Sequence, residues 1–222
     1  LLLKGSVGSD HAPHESGVGI LEPLRALTRV NLAETNSSLC CFITEQLAIR
    51  TCPNLLSINI SRIKSDNMCN LNNIKIGELL SSAPSLLSIK AENLTQLTDE
   101  SMAIMANNCH RLTKLELSGT SITMDSLLGL DQLSQLMILK ATGIEMPTTL
   151  DDVHALIHRL GNVRTLALNL HDCGMSNRTL ECIVNNCQSI ETLILGGRPL
   201  QHMGQFITKR VFLSFIVGLV NL

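Results

Sequence analysis

The apolar residues of this chain recur in a short pattern along most of its length. In each copy, an apolar residue is followed by further apolar residues three and five positions later, with mostly polar residues between them. The alternation of the last three positions predicts a β-strand with one buried face. Seven copies are present, and they begin at Leu27, Leu55, Leu86, Leu112, Leu136, Val163 and Ile190.

A second apolar stripe precedes each copy of the strand pattern. The residue three positions before each start is apolar or a cysteine, as Cys52, Cys109 and Cys187 illustrate. In four copies, apolar residues also stand ten, seven and six positions before the start, which is the spacing of one helix face. Thr98 and Thr123 stand just before two of these stripes, where a helix N-cap is expected. Each unit is therefore predicted to combine a short strand, a turn and a helix.

The spacing of the copies indicates the architecture. Successive starts lie 24 to 31 residues apart and average about 27, within the range of leucine-rich repeats. A unit of this size cannot bury its apolar face alone, so neighbouring units must stack. We therefore expect an α/β leucine-rich-repeat solenoid of about seven repeats, a right-handed horseshoe with parallel strands on the concave face and helices on the convex face. The longest interval predicts an insertion loop at 61–73, and Gly129 marks a weak helix in the shortest repeat.

The two ends of the chain depart from the repeat pattern. Residues 1–20 carry no repeat and are predicted to form an irregular N-terminal segment, so that the repeat domain spans 21–222. The chain starts with Leu1, and its first twenty residues lack the layout of a signal peptide, which favours an internal fragment. We expect the repeat domain to be truncated at its C-terminal end, because five residues match the positions at which an eighth repeat would begin. They are Phe212, Phe215, Ile216, Leu219 and Leu222.

Composition excludes several classes of function. Hydrophobic residues make up 45% of the chain and charged residues 16%, which is typical of a folded protein. A net charge of -2 gives no general attraction to nucleic acids or acidic membranes, and an aromatic content of 2% gives few surfaces on which bases stack. The apolar run 211–222 is shorter than the ~18 residues of a membrane span and fits a solenoid helix instead. We predict neither a nucleic-acid nor a membrane partner.

Residue types that support catalysis or metal binding occur, but not in productive arrangements. His154 and His158 have the i, i+4 spacing of a zinc site, yet Ala155 stands where the catalytic Glu of such a site belongs, and both histidines are expected to face solvent. The His-Asp-Cys sequence at 171–173 lies in a predicted turn, where three consecutive side chains cannot converge. We predict no enzymatic activity, no metal and no cofactor.

The eight cysteines of the chain are interpreted as core residues. Cys52, Cys109 and Cys187 stand in the same column but two or three repeats apart, which is beyond the reach of a disulfide. No CxxC spacing typical of a zinc site is present. A reducing, intracellular location in the cytoplasm or nucleus is therefore favoured.

Side chains between the buried strand positions are expected to face the concave surface. Lys90, Lys114 and Lys140 are expected to occupy equivalent positions in adjacent repeats and to act together on one acidic or phosphorylated protein segment. The alternative is a mixed, solvated surface with no such ligand. The predicted partner-binding residues are Arg29, Arg62, Lys90, Lys114, Glu116, Lys140 and Arg164.

The segment 97–123 resembles the cysteine-containing leucine-rich repeat of F-box and leucine-rich-repeat proteins; its sequence is LTDESMAIMANNCHRLTKLELSGTSIT. In that family a cysteine ends the helix before the strand, and Cys52, Cys109 and Cys187 match that position here. The resemblance implies the substrate-recognition region of a ubiquitin ligase receptor, in which the concave surface binds the substrate. No F-box is recognisable in this chain, so ligase subunits would bind a region outside it. The alternative is a leucine-rich-repeat regulator or inhibitor of another protein without a ligase link.

Overall fold

The structure, a computed structural model, describes residues 26–49, 52–63, 71–144, 150–169 and 177–196. Strands and helices alternate along these residues. The strands are β1 (Arg29–Asn31), β2 (Ser57–Asn59), β3 (Ser88–Lys90), β4 (Lys114–Glu116), β5 (Ile138–Ala141), β6 (Thr165–Asn169) and β7 (Thr192–Gly196). The helices are α1 (Ser37–Ile49), α2 (Asn73–Ser82), α3 (Asp99–Asn108), α4 (Met124–Leu128), α5 (Leu150–Arg159) and α6 (Asn177–Asn186).

The strands form one sheet in which each strand pairs with the next along the chain. Every pair is parallel, and the central apolar residues of successive patterns lie opposite each other, as Leu115 and Leu139 do. Each strand begins two residues after its pattern starts, because the starting residue closes the turn that follows the helix. The amide of Leu112, for example, donates to the carbonyl of Cys109 at 3.0 Å. The prediction of seven parallel strands is confirmed, and the chain is an α/β leucine-rich-repeat solenoid.

The described helices differ in length, most clearly in the shortest repeat. Helix α1 has 13 residues, and α2, α3, α5 and α6 have 10 each. Helix α4, in the shortest repeat, has only five residues and continues as a 3₁₀ turn over Gly129–Gln132. The prediction of a weak helix at Gly129 is therefore confirmed.

The core lies between the sheet and the helices. Five of the leucines that the pattern places inside are at most 1% exposed: Leu115, Leu117, Leu139, Leu166 and Leu168. Leu193 was expected to be equally buried, but it is only half-buried. This difference arises because β7 pairs only with β6 in the described sheet, so that Leu193 is covered by a packed layer on one side.

The column of cysteines is buried, as expected, and it also joins neighbouring helices. The thiol of Cys109 donates to the carbonyl of Leu80 at the end of α2, at 3.7 Å, and that of Cys187 donates to the carbonyl of Ile157 at the end of α5, at 3.5 Å. Burial raises the pKa of each of these two thiols to about 11, so both are neutral at pH 7. All six cysteines in the described residues are free thiols.

A column of left-handed backbone follows the strands. The residue seven positions after each of the first five pattern starts has a positive φ, and these residues are Glu34, Arg62, Asn93, Gly119 and Gly143. The amide of Arg62 donates to Glu92 in the next repeat, and the amide of Gly119 donates to Thr142 in the same way. The glycines adopt this conformation without the steric penalty that other residues incur.

Some sequence predictions fall outside the described residues. They concern the segment 1–20, the centre of the insertion loop at 64–70, the turn 171–173 and the eighth repeat at 211–222. Within the described ranges, no helix is long and apolar enough to cross a membrane.

Candidate partner-binding surface

Two rows of side chains cross the strands on the concave face, on either side of the buried row at the strand centres. They follow directly from the register of the sheet, because residues that pair across strands point to the same side. The first row contains Arg29, Ser57, Ser88, Lys114, Ile138, Thr165 and Thr192. The second row contains Asn31, Asn59, Lys90, Glu116, Lys140, Ala167 and Ile194.

The register corrects the expected alignment of the three lysines. Lys90 and Lys140 lie in the second row, on either side of Glu116, whereas Lys114 lies in the first row between Ser88 and Ile138. The expectation of equivalent positions was wrong because Lys114 stands two residues after its pattern start, while the other two lysines stand four residues after theirs. The three ammonium groups nevertheless converge, and the point on which they converge is a carboxylate of the protein itself.

This carboxylate belongs to Glu116, whose side chain is only 2% exposed. Its Oε1 lies 2.8 Å from the Nζ of Lys140 and 3.3 Å from that of Lys114. Its Oε2 lies 3.2 Å from the Nζ of Lys90, which also contacts Glu92 at 3.4 Å. Among the described residues, Oε2 has no well-aligned hydrogen bond, and its ion pair is with Lys90. We call these five residues the lysine cluster.

The charges of the lysine cluster stabilise one another. Burial disfavours the ionised carboxylate, but the three surrounding ammonium groups outweigh it and lower the pKa of Glu116 to about 2. Burial likewise disfavours the charged form of Lys90, and the two carboxylates that it contacts reverse this effect and raise its pKa. Glu116 is therefore ionised at pH 7 and holds the lysines in place from beneath.

Glu116 is not placed to contact a partner directly, in contrast to the sequence-based expectation, since its side chain lies under the lysines. The three lysine side chains are 36 to 39% exposed and form the accessible part of the cluster. The cluster contains three positively charged ammonium groups and the two carboxylates of Glu92 and Glu116, so its net charge is +1. The surface is therefore cationic but close to neutral.

The predicted arginines lie outside the lysine cluster. Arg62, in the turn after β2, pairs with Glu34 at 3.6 Å, and Arg164 pairs with Glu191 at 3.1 Å. All four of these side chains are more than half exposed, so each pair contributes little to stability. Arg29 is exposed at the start of the first row on β1, three strands from β4 at the centre of the lysine cluster.

The concave rows also contain apolar residues that sequence analysis did not identify as part of a site. Ile138 follows Lys114 in the first row and is half-buried, and Ile194 follows Ala167 in the second row and is 49% exposed. The sequence does mark these two isoleucines, because both occupy positions of the strand pattern that are mostly polar in the other repeats.

A groove of about 480 Å³ lies on the convex face between α5 and α6. His154 lines it but is 7% exposed, so the expectation that it faces solvent was wrong; helix α6 covers it, with the hydroxyl of Thr179 3.4 Å from its Nε2. His158 is exposed, as expected, and its Nδ1 lies 2.7 Å from the Oδ1 of Asn186. In the described part of the chain, no three His, Cys, Asp or Glu residues are arranged to hold a metal ion.

No protein-family model and no curated protein sequence matches the chain. Among solved structures, it is similar to a chain in the complex of Rad7 and Elc1 from yeast, with a TM-score of 0.57 and 15% identity over 83% of this chain and 46% of that chain. A second similar structure is the internalin inlF from Listeria monocytogenes, with a TM-score of 0.42 and 16% identity over 74% of this chain and 49% of that one. The chain thus spans about half the length of each. At 15% identity the likeness to the yeast chain extends to the fold alone, and it agrees with the leucine-rich-repeat solenoid described above.

Proposed function

We propose that this protein is a protein-interaction scaffold that binds its partner on the concave face of the solenoid. The observation that carries the proposal is the lysine cluster, in which a buried carboxylate holds three partly exposed ammonium groups at the centre of that face. An ordered cationic site costs little further entropy when it binds, because its side chains are already positioned. We expect the partner segment to be acidic, since the cluster has a local charge of +1.

We further propose that the partner is the substrate of a ubiquitin ligase, and that the chain is the substrate-recognition region of an F-box-type receptor. The support is the resemblance of its cysteine-containing repeats to those of that family. The yeast protein Rad7, which has a similar fold, was crystallised in a complex with another protein, Elc1. The second candidate is a regulator or inhibitor of another protein with no ubiquitin ligase link, which would use the same concave surface.

The proposal includes an intracellular location and no catalytic step. The six free thiols of the described residues support a reducing compartment. Binding alone accounts for the lysine cluster, because its charged groups pair with one another.

Site-specific photo-cross-linking in the cell of origin tests the proposal. A photoreactive residue replaces Ser88 or Thr165 on the concave face, and Glu100, exposed on α3, serves as the convex control position. We expect the same partner to be captured from both concave positions and not from the convex one. Co-purified cullin-RING subunits would favour the ligase receptor, and their absence alongside a captured enzyme would favour the regulator. Capture from Glu100 alone would contradict the proposal.

A further inference from the structure

The concave surface changes character along the sheet. Over β2 and β3 it presents small polar side chains, among them Ser57 and Ser88. The lysine cluster occupies β3 to β5. Beyond it, Ile138 and Ile194 add apolar surface.

The lysine cluster keeps unused hydrogen-bond donors. Each ammonium group has three N–H donors, so the cluster has nine. Within the described residues, its ion pairs number four, two made by Lys90 and one each by Lys114 and Lys140. Five donors therefore have no carboxylate partner among the described residues, and four of them belong to Lys114 and Lys140. These two lysines are the part of the cluster most available to a ligand.

The charge of the cluster favours a singly charged ligand. With Glu92 and Glu116 already present, one additional carboxylate brings the local charge from +1 to zero. A phosphate group, with a charge near -2 at pH 7, brings it to about -1 above the buried Glu116. Like charges at such a distance repel each other, so the carboxylate of an Asp or Glu fits the cluster better than a phosphorylated side chain.

The position of Ile194 sets a spacing for the partner. Ile194 lies on β7 and Lys140 on β5, in the same row, so two strand spacings of ~4.8 Å separate them, or about 10 Å. An extended segment in the polyproline II conformation advances ~3.1 Å per residue and has three residues per turn. Such a segment crossing the strands covers this distance in about three residues, and the side chains at the two ends of that interval point to the same side. Ala167, between the two, is small enough to let a segment pass close to the sheet.

We infer that the concave surface binds an extended segment of a partner protein in which an Asp or Glu and an apolar residue stand three positions apart. The carboxylate lies over Lys114 and Lys140, and the apolar side chain packs on Ile194. This inference rests on the proposed function and deepens it by naming the chemistry of the recognised segment.

Selection from a displayed library of random peptides on the full chain tests this inference. We expect enrichment of peptides with an acidic and an apolar residue three positions apart. Replacing the acidic residue of an enriched peptide by Gln is expected to weaken binding about fivefold. Lys140→Gln is expected to weaken binding of the acidic peptide by a similar factor and to leave its Gln variant unaffected. Lys75→Gln, which removes a convex ion pair with Glu45, is the matched control and is expected to have no effect.

The comparison of the two peptides separates recognition from folding. A Lys140→Gln chain that had merely lost structure would bind both peptides more weakly, whereas lost recognition affects the acidic peptide alone. Ile194→Ser provides a second, independent variant, and it is expected to weaken only peptides that carry the apolar residue.

Three outcomes would overturn the inference. They are the absence of acidic peptides among those enriched, equal effects of Lys140→Gln on both peptides, and tighter binding when phosphoserine replaces the acidic residue. If the partner is still cross-linked from Ser88 in any of these cases, the concave scaffold stands and only the ligand chemistry is wrong. If cross-linking from the concave face also fails, both proposals fall.

Discussion

Replacing Glu116 by Gln tests how the lysine cluster is held together. The side chain keeps its shape and loses its charge, so packing is preserved while the three ion pairs are lost. Lowering a pKa from 4.5 to about 2 corresponds to about 3 kcal/mol of stability at pH 7. The lysines are more than a third exposed and solvent screens their charges, so we expect the variant to lose about 1 to 3 kcal/mol.

The pH dependence of this loss identifies its cause. Because the folded-state pKa of Glu116 lies below its ordinary value, its contribution is fully present above pH 4.5 and disappears as the pH falls towards 2. Urea denaturation of the wild type and of Glu116→Gln at pH 7, 3 and 2 measures the difference. The difference in unfolding free energy between the two proteins is expected to be less than half its pH 7 value at pH 3 and to be small at pH 2.

Glu92→Gln is the control, because in the described part of the chain this carboxylate forms an ion pair with Lys90 alone, and it is more exposed than Glu116. We expect it to cost less than about 1 kcal/mol. If Glu116→Gln and the wild type unfold at the same urea concentration at pH 7, or if their difference does not depend on pH, the ion pairs do not stabilise this surface.

Three further predictions concern the core, the turns and the convex groove. Leu166→Ala is expected to cost about 2 to 5 kcal/mol of unfolding free energy, because Leu166 is fully buried; a loss below about 1 kcal/mol in urea would contradict the stacking of repeats. Gly119→Ala is expected to cost about 1 to 3 kcal/mol of unfolding free energy, because Gly119 has a φ of 71°. Gly129→Ala is expected to be neutral or stabilising, because Gly129 has a negative φ and open space around it. Equal melting temperatures of the two variants would refute this difference. Burial and the nearby charge of Arg178 lower the pKa of His154, so the free energy of unfolding is expected to decrease as the pH drops below 6.5. In His154→Gln, this decrease between pH 7 and 5 is expected to be smaller.

The sequence predicted the solenoid because its apolar periodicity is the direct cause of the stacking. The Cys109 column and the central leucines are buried where the pattern places them. The short helix α4 was also predictable, since Gly129 stands in the shortest repeat. The partial exposure of Leu193 was not predictable, because the pattern describes one repeat at a time and does not show how well a neighbouring repeat covers that residue.

The surface was less predictable than the core. Concave lysines were correctly identified as neighbours, but the pairing of Lys114 with Ser88 depends on register, which requires counting each residue from its own pattern start. The burial of Glu116 depends on three side chains from three strands, and no local pattern records such a contact. His154 was misplaced for a similar reason, since the neighbouring helix covers a position that a single helix leaves exposed.

Lysine footprinting of the partner complex tests whether the concave lysine cluster is the binding surface. Reductive methylation followed by mass spectrometry measures the reactivity of each lysine with and without the cross-linked partner. Lys114 and Lys140 are compared with Lys75, which is also ion-paired but lies on helix α2 of the convex face. If the partner binds the lysine cluster, it protects Lys114 and Lys140 from methylation and leaves the reactivity of Lys75 unchanged. Protection of Lys75 with unchanged reactivity of the two concave lysines would contradict it.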